Sequence, residues 1–342
     1  IPKALLSLGL PTMTGMLINA LYNLADAYFV GGLGTVQMGA VTVAFPLGQV
    51  VVGLGLLFGN GAAAYLSRLL GRGDRDTANK VASTALYGGV FLGVVVILFS
   101  LIFLEPVLQR AGAIESVMPY AAAYARIYIT FSIFNVFNVT MNNIVSSEGA
   151  AKTAMCALMA GAVLNAALDP VFIYTLDLGV TGAAIATAIS QMVSTLFYLC
   201  YILRKKSVFH FSIKACRFGK EVMLEILKIG IPTLIFQLLT SLSVAMINGA
   251  AKEYGSSALA AMGPVTKIMS MGTLIVFGFL KGFQPVAGFS YGAKKFDRLR
   301  EAIRTAILWS TIFCVIFGLV TAAFPGQIMS LFPQEDPEMI RA

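Results

Sequence analysis

Apolar side chains fall along the chain in long runs, such as 85–104 and 182–203, each about as long as the 20 residues a helix needs to cross a bilayer core. Nine spans are predicted, at 5–30, 40–67, 81–104, 119–146, 153–175, 180–203, 225–251, 258–285 and 302–324. No run shows the ten-residue apolar and polar alternation of a membrane strand. Backbone groups find no water in hydrocarbon, so the spans must be helices packed as a bundle.

Composition agrees with this pattern. Of 342 residues, 58% are hydrophobic and 12% charged, against about 45–50% and about 25% in soluble domains. A soluble enzyme, a disordered chain, collagen, a coiled coil and a disulfide scaffold are excluded, leaving an all-α integral membrane protein. Cys156, Cys200, Cys216 and Cys314 form no C-x-x-C pair and read as small core side chains. The chain opens at Ile1 and enters an apolar segment directly, so we expect no signal peptide and a few missing leading residues.

The net charge of +8 changes the picture only through its distribution. Arg68, Arg72, Arg75 and Lys80 follow span two, and Lys152 follows span four. Arg204, Lys205, Lys206, Lys214, Arg217, Lys220 and Lys228 lie between spans six and seven, and Lys294, Lys295, Arg298, Arg300 and Arg304 follow span eight. The alternate loops are sparsely or oppositely charged, with Glu105, Arg110 and Glu115, then Asp177, then Lys252 and Glu253, then Glu335, Asp336 and Glu338. Cytoplasmic loops collect Lys and Arg. We therefore expect a cytoplasmic N-terminus, a cytoplasmic (inner) membrane location and no nucleic-acid partner.

A repeat divides the chain. At a shift of about 221 residues, Gly9-Leu10-Pro11-Thr12 meets Gly230-Ile231-Pro232-Thr233, and Gly34, Ala40, Gly61, Gly71, Asp76 and Thr84 meet Gly255, Ala261, Gly282, Gly292, Asp297 and Thr305. The shift carries span one onto span seven. Both copies then have the same orientation, as two six-helix lobes related by an axis along the membrane normal. The expected divisions are an N-terminal lobe at 1–205, an inter-lobe loop at 206–224 and an incomplete C-terminal lobe at 225–342. Ala342 would align with Ala121, so spans ten to twelve are expected to lie beyond this sequence.

Of sixteen acidic residues, fourteen sit at helix ends or in loops, which leaves Asp26 and Asp169. A carboxylate in hydrocarbon costs about 2.5–3.5 kcal/mol on insertion scales, which makes it a site facing a cavity. Both lie in the outer third of an outward-running span. Tyr22 precedes Asp26 by one turn, Asn165 precedes Asp169 by one turn, and Ala183 and Thr187 are one turn apart in span six, so each pair shares a face. These groups could converge on one polar pocket. Pro170 removes a backbone donor and frees a carbonyl one turn earlier. Hard oxygens of this kind suit Na⁺ as a bound metal at Asp26, Asn165, Asp169 and Thr187, and two close carboxylates can instead share protons.

These residues resemble the multidrug and toxic compound extrusion (MATE) family. The likeness rests on the Gly-x-Pro openings of spans one and seven, Leu21-Tyr22-Asn23-Leu24-Ala25-Asp26, Gly31-Gly32, Gly71-Arg72-Gly73-Asp74, Glu148-Gly149 and Asn165-Ala166-Ala167-Leu168-Asp169-Pro170. It implies a twelve-helix bundle of two lobes, of which about nine helices are present here. Within the family, the acids resemble the DinF-like branch with its MepA-type exporters. That branch implies a cation site on Asp26, Asn165, Asp169, the Ala183 carbonyl and Thr187, with Tyr22 and Asn142 in the supporting network. Counting along span four puts Asn142 near its inner end, deeper than the others.

The expected function is Na⁺- or H⁺-coupled antiport of amphiphilic, mostly cationic drugs, with span one bending at Pro11. No cofactor other than the coupling ion, no enzyme activity and a monomer among membrane lipids are expected. The alternative is a lipid-linked oligosaccharide or lipid flippase. That cargo needs basic residues to hold pyrophosphate, and away from the span ends only Arg126, Lys267 and Lys281 fall within spans, where Arg126 and Lys281 read as snorkelling. A membrane enzyme would need H-E-x-x-H or D-D-x-x-D, and ATP drive a Walker motif; neither is present.

Overall fold

The computed structural model describes residues 1–216, 219–252 and 256–324, with backbone alone at 35, 241, 244, 245, 247–252 and 256–267. Within them lie ten α-helices: α1 Pro2–Gly31, α2 Thr35–Arg72, α3 Arg75–Ile102, α4 Leu104–Arg110, α5 Met118–Ser147, α6 Ala151–Pro170, α7 Gly179–Leu203, α8 Lys220–Lys252, α9 Ser256–Gly292 and α10 Phe296–Ala323. A π-helical turn, Val171–Thr175, continues α6. The nine long helices are the nine expected spans. Among the described residues eight are apolar enough to cross a membrane; α5 is more polar, with Asn135, Asn138, Asn142 and Asn143 in its second half. The unpredicted α4 is too short to span, and it buries Leu104 and Leu108, one turn apart, beside α5.

Side chains of Ile247, Asn248, Lys252, Ala261 and Lys267, together with Arg217, Glu253, Gly255 and residues 325–342, lie outside the described residues. So do Glu335, Asp336, Glu338 and the expected opening of a tenth span.

α1, α2, α3, α5, α6 and α7 form one bundle, and α8 and α9 pack across α1 and α2. The cross-contacts are reciprocal. A Cβ on Gly71 would strike the Phe289 carbonyl, and a Cβ on Gly292 would strike the Arg68 carbonyl. Gly71 and Gly292, and likewise Arg68 and Phe289, are the same positions of the two repeats. Small residues let membrane helices approach to backbone contact, where dispersion and interhelical bonds hold them. Gly61 against Ile226, Gly230 against Leu57 and Gly282 against Gly9 repeat this closeness. All of these pairs involve the first halves of α1 and α8 and the second halves of α2 and α9. The bundles are therefore closed at the end that carries the basic loops, called the basic face below. Arg68 and Glu225 add an ion pair there, at 2.9 Å, and Thr12 Oγ1 donates to the Gly278 carbonyl at 2.6 Å.

The linker between bundles is strapped to this face. Glu148, just past α5, accepts from Tyr201 Oη at 2.7 Å, Ser207 Oγ at 2.8 Å and the Val208 N–H at 2.8 Å, and the His210 N–H donates to Asn79 Oδ1 at 2.8 Å.

Two apolar clusters fill the first bundle. One, near the basic face, includes Leu66, Val81, Met141, Ile144 and Tyr198; the other, at the opposite end, includes Val30, Leu108, Ile129, Ile173 and Ala183. Polar side chains occupy the layer between them. Large apolar side chains such as Phe91, Leu98, Phe99, Leu196 and Leu319 face outward, the surface expected against lipid. The cysteines correct the sequence reading: all four are free, and Cys156, Cys200 and Cys314 are exposed on the outer surface instead of packed in the core.

Candidate cation-coupling site

The polar layer is organised around α6. Asp169 is fully buried, and Asn165, one turn earlier, is 1% exposed. The Asn165 amide has one sensible orientation: Nδ2 donates to Asp169 Oδ2 at 2.9 Å, and Oδ1 accepts from Thr187 Oγ1 at 3.3 Å and the Thr187 N–H at 3.2 Å. Reversed, it would aim a carbonyl at the carboxylate. That Thr187 N–H is also the donor that helix α7 directs at the Ala183 carbonyl, so the carbonyl shares its partner. Pro170 follows Asp169 without an N–H, and the backbone then widens into the π turn, where the Leu176 N–H reaches the Val171 carbonyl at 2.9 Å. Such widened turns recur at functional sites.

Asp26, half-buried on α1, lies within electrostatic reach of Asp169 and of Tyr22, Tyr124 and Tyr128. The Tyr22 hydroxyl lies near the Thr187 side chain. Four helices thus deliver two carboxylates, a carboxamide, a hydroxyl and phenols to one place. Among the described residues no group of three or more His, Cys, Asp or Glu comes together. Two carboxylates among neutral oxygens match a monovalent cation or shared protons better than a multivalent metal.

Tyr124 and Tyr128 were missed by the sequence reading. They stack at 5.8 Å between centroids on α5, and their signal was an aromatic pair one turn apart. Asn138 was also missed. Its Nδ2 donates to the Gln191 carbonyl and to Gln191 Oε1, both at 2.8 Å, and its Oδ1 accepts from Thr195 Oγ1 at 2.9 Å.

Asn142 is a correction. It lies one turn nearer the basic face than Asn138 and makes no bond to Asp26, Asp169 or Asn165. Its Nδ2 donates to the Ala154 carbonyl at 3.3 Å and to Tyr198 Oη at 3.0 Å, and its Oδ1 accepts from Lys281 Nζ. Lys281 therefore does not snorkel to the surface; its ammonium turns into the protein. Arg126 is exposed on α5. Pro11 sits in α1 well before Asp26, and the following Thr12 hydroxyl, whose one proton goes to the Gly278 carbonyl at 2.6 Å, also lies 2.9 Å from the Leu8 and Gly9 carbonyls.

The MatE family model matches residues 11–171 and again 232–342, so the two matches begin 221 residues apart. The chain belongs to the MatE family. It is 30% identical over 334 residues to the multidrug export protein MepA of Staphylococcus saprophyticus subsp. saprophyticus, covering 97% of this chain and 74% of that one. It is similar to a solved structure described as the outward-facing conformation of a multidrug resistance MATE family transporter of the MOP superfamily, with a TM-score of 0.92, 30% identity, and 99% and 76% of the chains covered. A structure of MATE in the bent conformation matches with a TM-score of 0.92 and 30% identity over 99% and 76% of the chains. This MatE-family chain is a transporter and not an enzyme.

Proposed function

We propose that the protein is a cation-coupled antiporter exporting amphiphilic, mostly cationic organic compounds across the cytoplasmic membrane. The observation that carries this reading is the Asn165 amide, which ties Thr187 to the buried Asp169, itself within electrostatic reach of Asp26. Na⁺ or H⁺ held by the two carboxylates, Asn165, Thr187 and the Ala183 carbonyl is the coupling ion. Tyr22 supports the site. In this reading the basic face is cytoplasmic, the N-terminus is inside, and lobes 1–205 and 225–342 work as a monomer in lipid, joined by 206–224. The seal at the basic face leaves access from outside, in keeping with the outward-facing relative.

Cation binding does work only if it differs between outward-open and inward-open states. Bending of α1 about Pro11, with Pro170 widening α6, reshapes the cavity as the ion binds. A carboxylate among apolar and aromatic groups attracts both halves of an amphiphilic cation. The test is export of a fluorescent organic cation from proteoliposomes under Na⁺ and pH gradients imposed separately. Asp26→Asn and Asp169→Asn, each checked for folding, should fall to passive leak. Gradient-driven export at the wild-type rate in either would overturn the reading.

A further inference from the structure

The first bundle contains a polar stripe, part of which packs against α6, where Ser194 Oγ donates to the Ala157 carbonyl at 3.1 Å. On α7, Thr187, Ser190, Gln191, Ser194 and Tyr198 recur at helical spacing and share one face. Thr187, Ser190, Ser194 and Tyr198 are all buried. A small cavity of about 40 Å³, room for about two or three waters, is lined by them together with Tyr22 and Asn165. The helical rise makes the stripe about 16 Å long.

The stripe has opposite charges at its ends. At one end stand Asp169 and Asp26. At the other, Tyr198 Oη accepts from Asn142, and Asn142 accepts from Lys281 Nζ. Among the described residues no carboxylate lies within ion-pair distance of Lys281. An uncompensated ammonium at membrane depth is costly and points to a function. A plain interhelical pin would need only a neutral amide.

We propose that the stripe is the release path by which the coupling cation leaves Asp26 and Asp169 toward the basic face, and that Lys281 is its electrostatic plug. The proposal rests on the cation-coupled reading above. Hydroxyl and carboxamide oxygens at each turn can replace part of the shell of Na⁺ or hold a water chain for protons. A fixed ammonium at the mouth repels either ion, as positive groups do in pores that exclude cations. Lys281 stands on α9, in the second half of the molecule, while Asn142 stands on α5, in the first. Parting of the halves at the basic face withdraws the ammonium and opens the path; closure restores it. The ion can then leave only in the conformation that has moved its cargo, and the closed protein does not leak.

The test uses proteoliposomes with no organic substrate present, under a Na⁺ or a pH gradient applied alone. Lys281→Gln keeps a bond to Asn142 but lacks the charge, and should raise passive cation flux by about tenfold, while Lys281→Arg stays at the wild-type level. Wild-type tightness in Lys281→Gln, or equal leak in Lys281→Arg, would overturn the plug. Ser194→Val narrows and dries the path, and should slow substrate-coupled cation flux about tenfold with cation affinity unchanged. Should Lys281→Gln not fold, Ser194→Val decides by itself, and wild-type flux in it overturns the path. The two failures are separable: undiminished gradient-driven export in Asp169→Asn removes the coupling and the path together. Loss of export in Asp169→Asn with a tight Lys281→Gln and a fast Ser194→Val removes the path alone.

Discussion

Asn165 Nδ2 donates to Asp169 Oδ2 at 2.9 Å from one turn earlier on α6, and the same amide accepts from Thr187 on α7. The carboxylate is therefore aimed by a neighbour that is itself held from a second helix. Hydrogen bonds to charged groups contribute about 1.5–3 kcal/mol, so Asn165→Ala, which removes both the group that aims the carboxylate and a ligand oxygen, should weaken Na⁺ binding by about tenfold or more. Isothermal titration with Na⁺ would read this. Thr187→Val should show a smaller loss, because it removes one hydroxyl while Asn165 still aims the acid. Equal losses in the two variants would contradict the relay.

Close approach of the halves makes a second prediction. Gly71 and Gly292 each face a backbone carbonyl across the seam, with no flexible side chain to yield. Gly71→Ala should destabilise the sealed basic face by about 1–3 kcal/mol, as overpacking does. Cysteine-labelling of introduced sites near Arg68 would detect the opening. Gly318→Ala is the control: its Cβ would meet nothing within 4 Å, so thermal stability should hold or rise slightly through helix propensity.

The spans were legible in the sequence because hydrocarbon demands one composition of everything inside it. That uniformity also hid the orientation of single side chains. Cys156, Cys200 and Cys314 read as core residues yet face outward, since a lipid-facing and a core-facing position are equally apolar. Asn138 and Asn142 lie one turn apart on the same helix, so type and spacing alone did not choose between them; the partners on α7 and α9 did. Asp26 and Asp169 were found because their cost is visible without any contact. Lys281 carried the same signal, but a long basic side chain has the option of reaching the surface, and only its bond to Asn142 shows that it does not. The short α4 left no signal because seven residues with two charges do not make a run.

The last prediction concerns pH and the strap on the basic face. Burial pushes the Glu148 carboxyl above the ordinary carboxylate range, opposed by the bonds from Tyr201, Ser207 and Val208. An acid whose pKa is higher folded than unfolded binds more protons in the folded state across that interval. Its contribution to stability is then present at low pH and lost as pH rises from the unfolded value of 4.5 through the raised one. Thermal unfolding in detergent, followed from about pH 4 to 7, should show the wild type losing stability relative to Glu148→Gln as pH increases. Glu148→Gln mimics the protonated acid and removes this slope, whereas Glu148→Ala should lower stability at every pH by leaving Tyr201 and Ser207 without their acceptor. A slope of opposite sign would mean that the three donors outweigh desolvation and hold the group as a carboxylate in the folded protein.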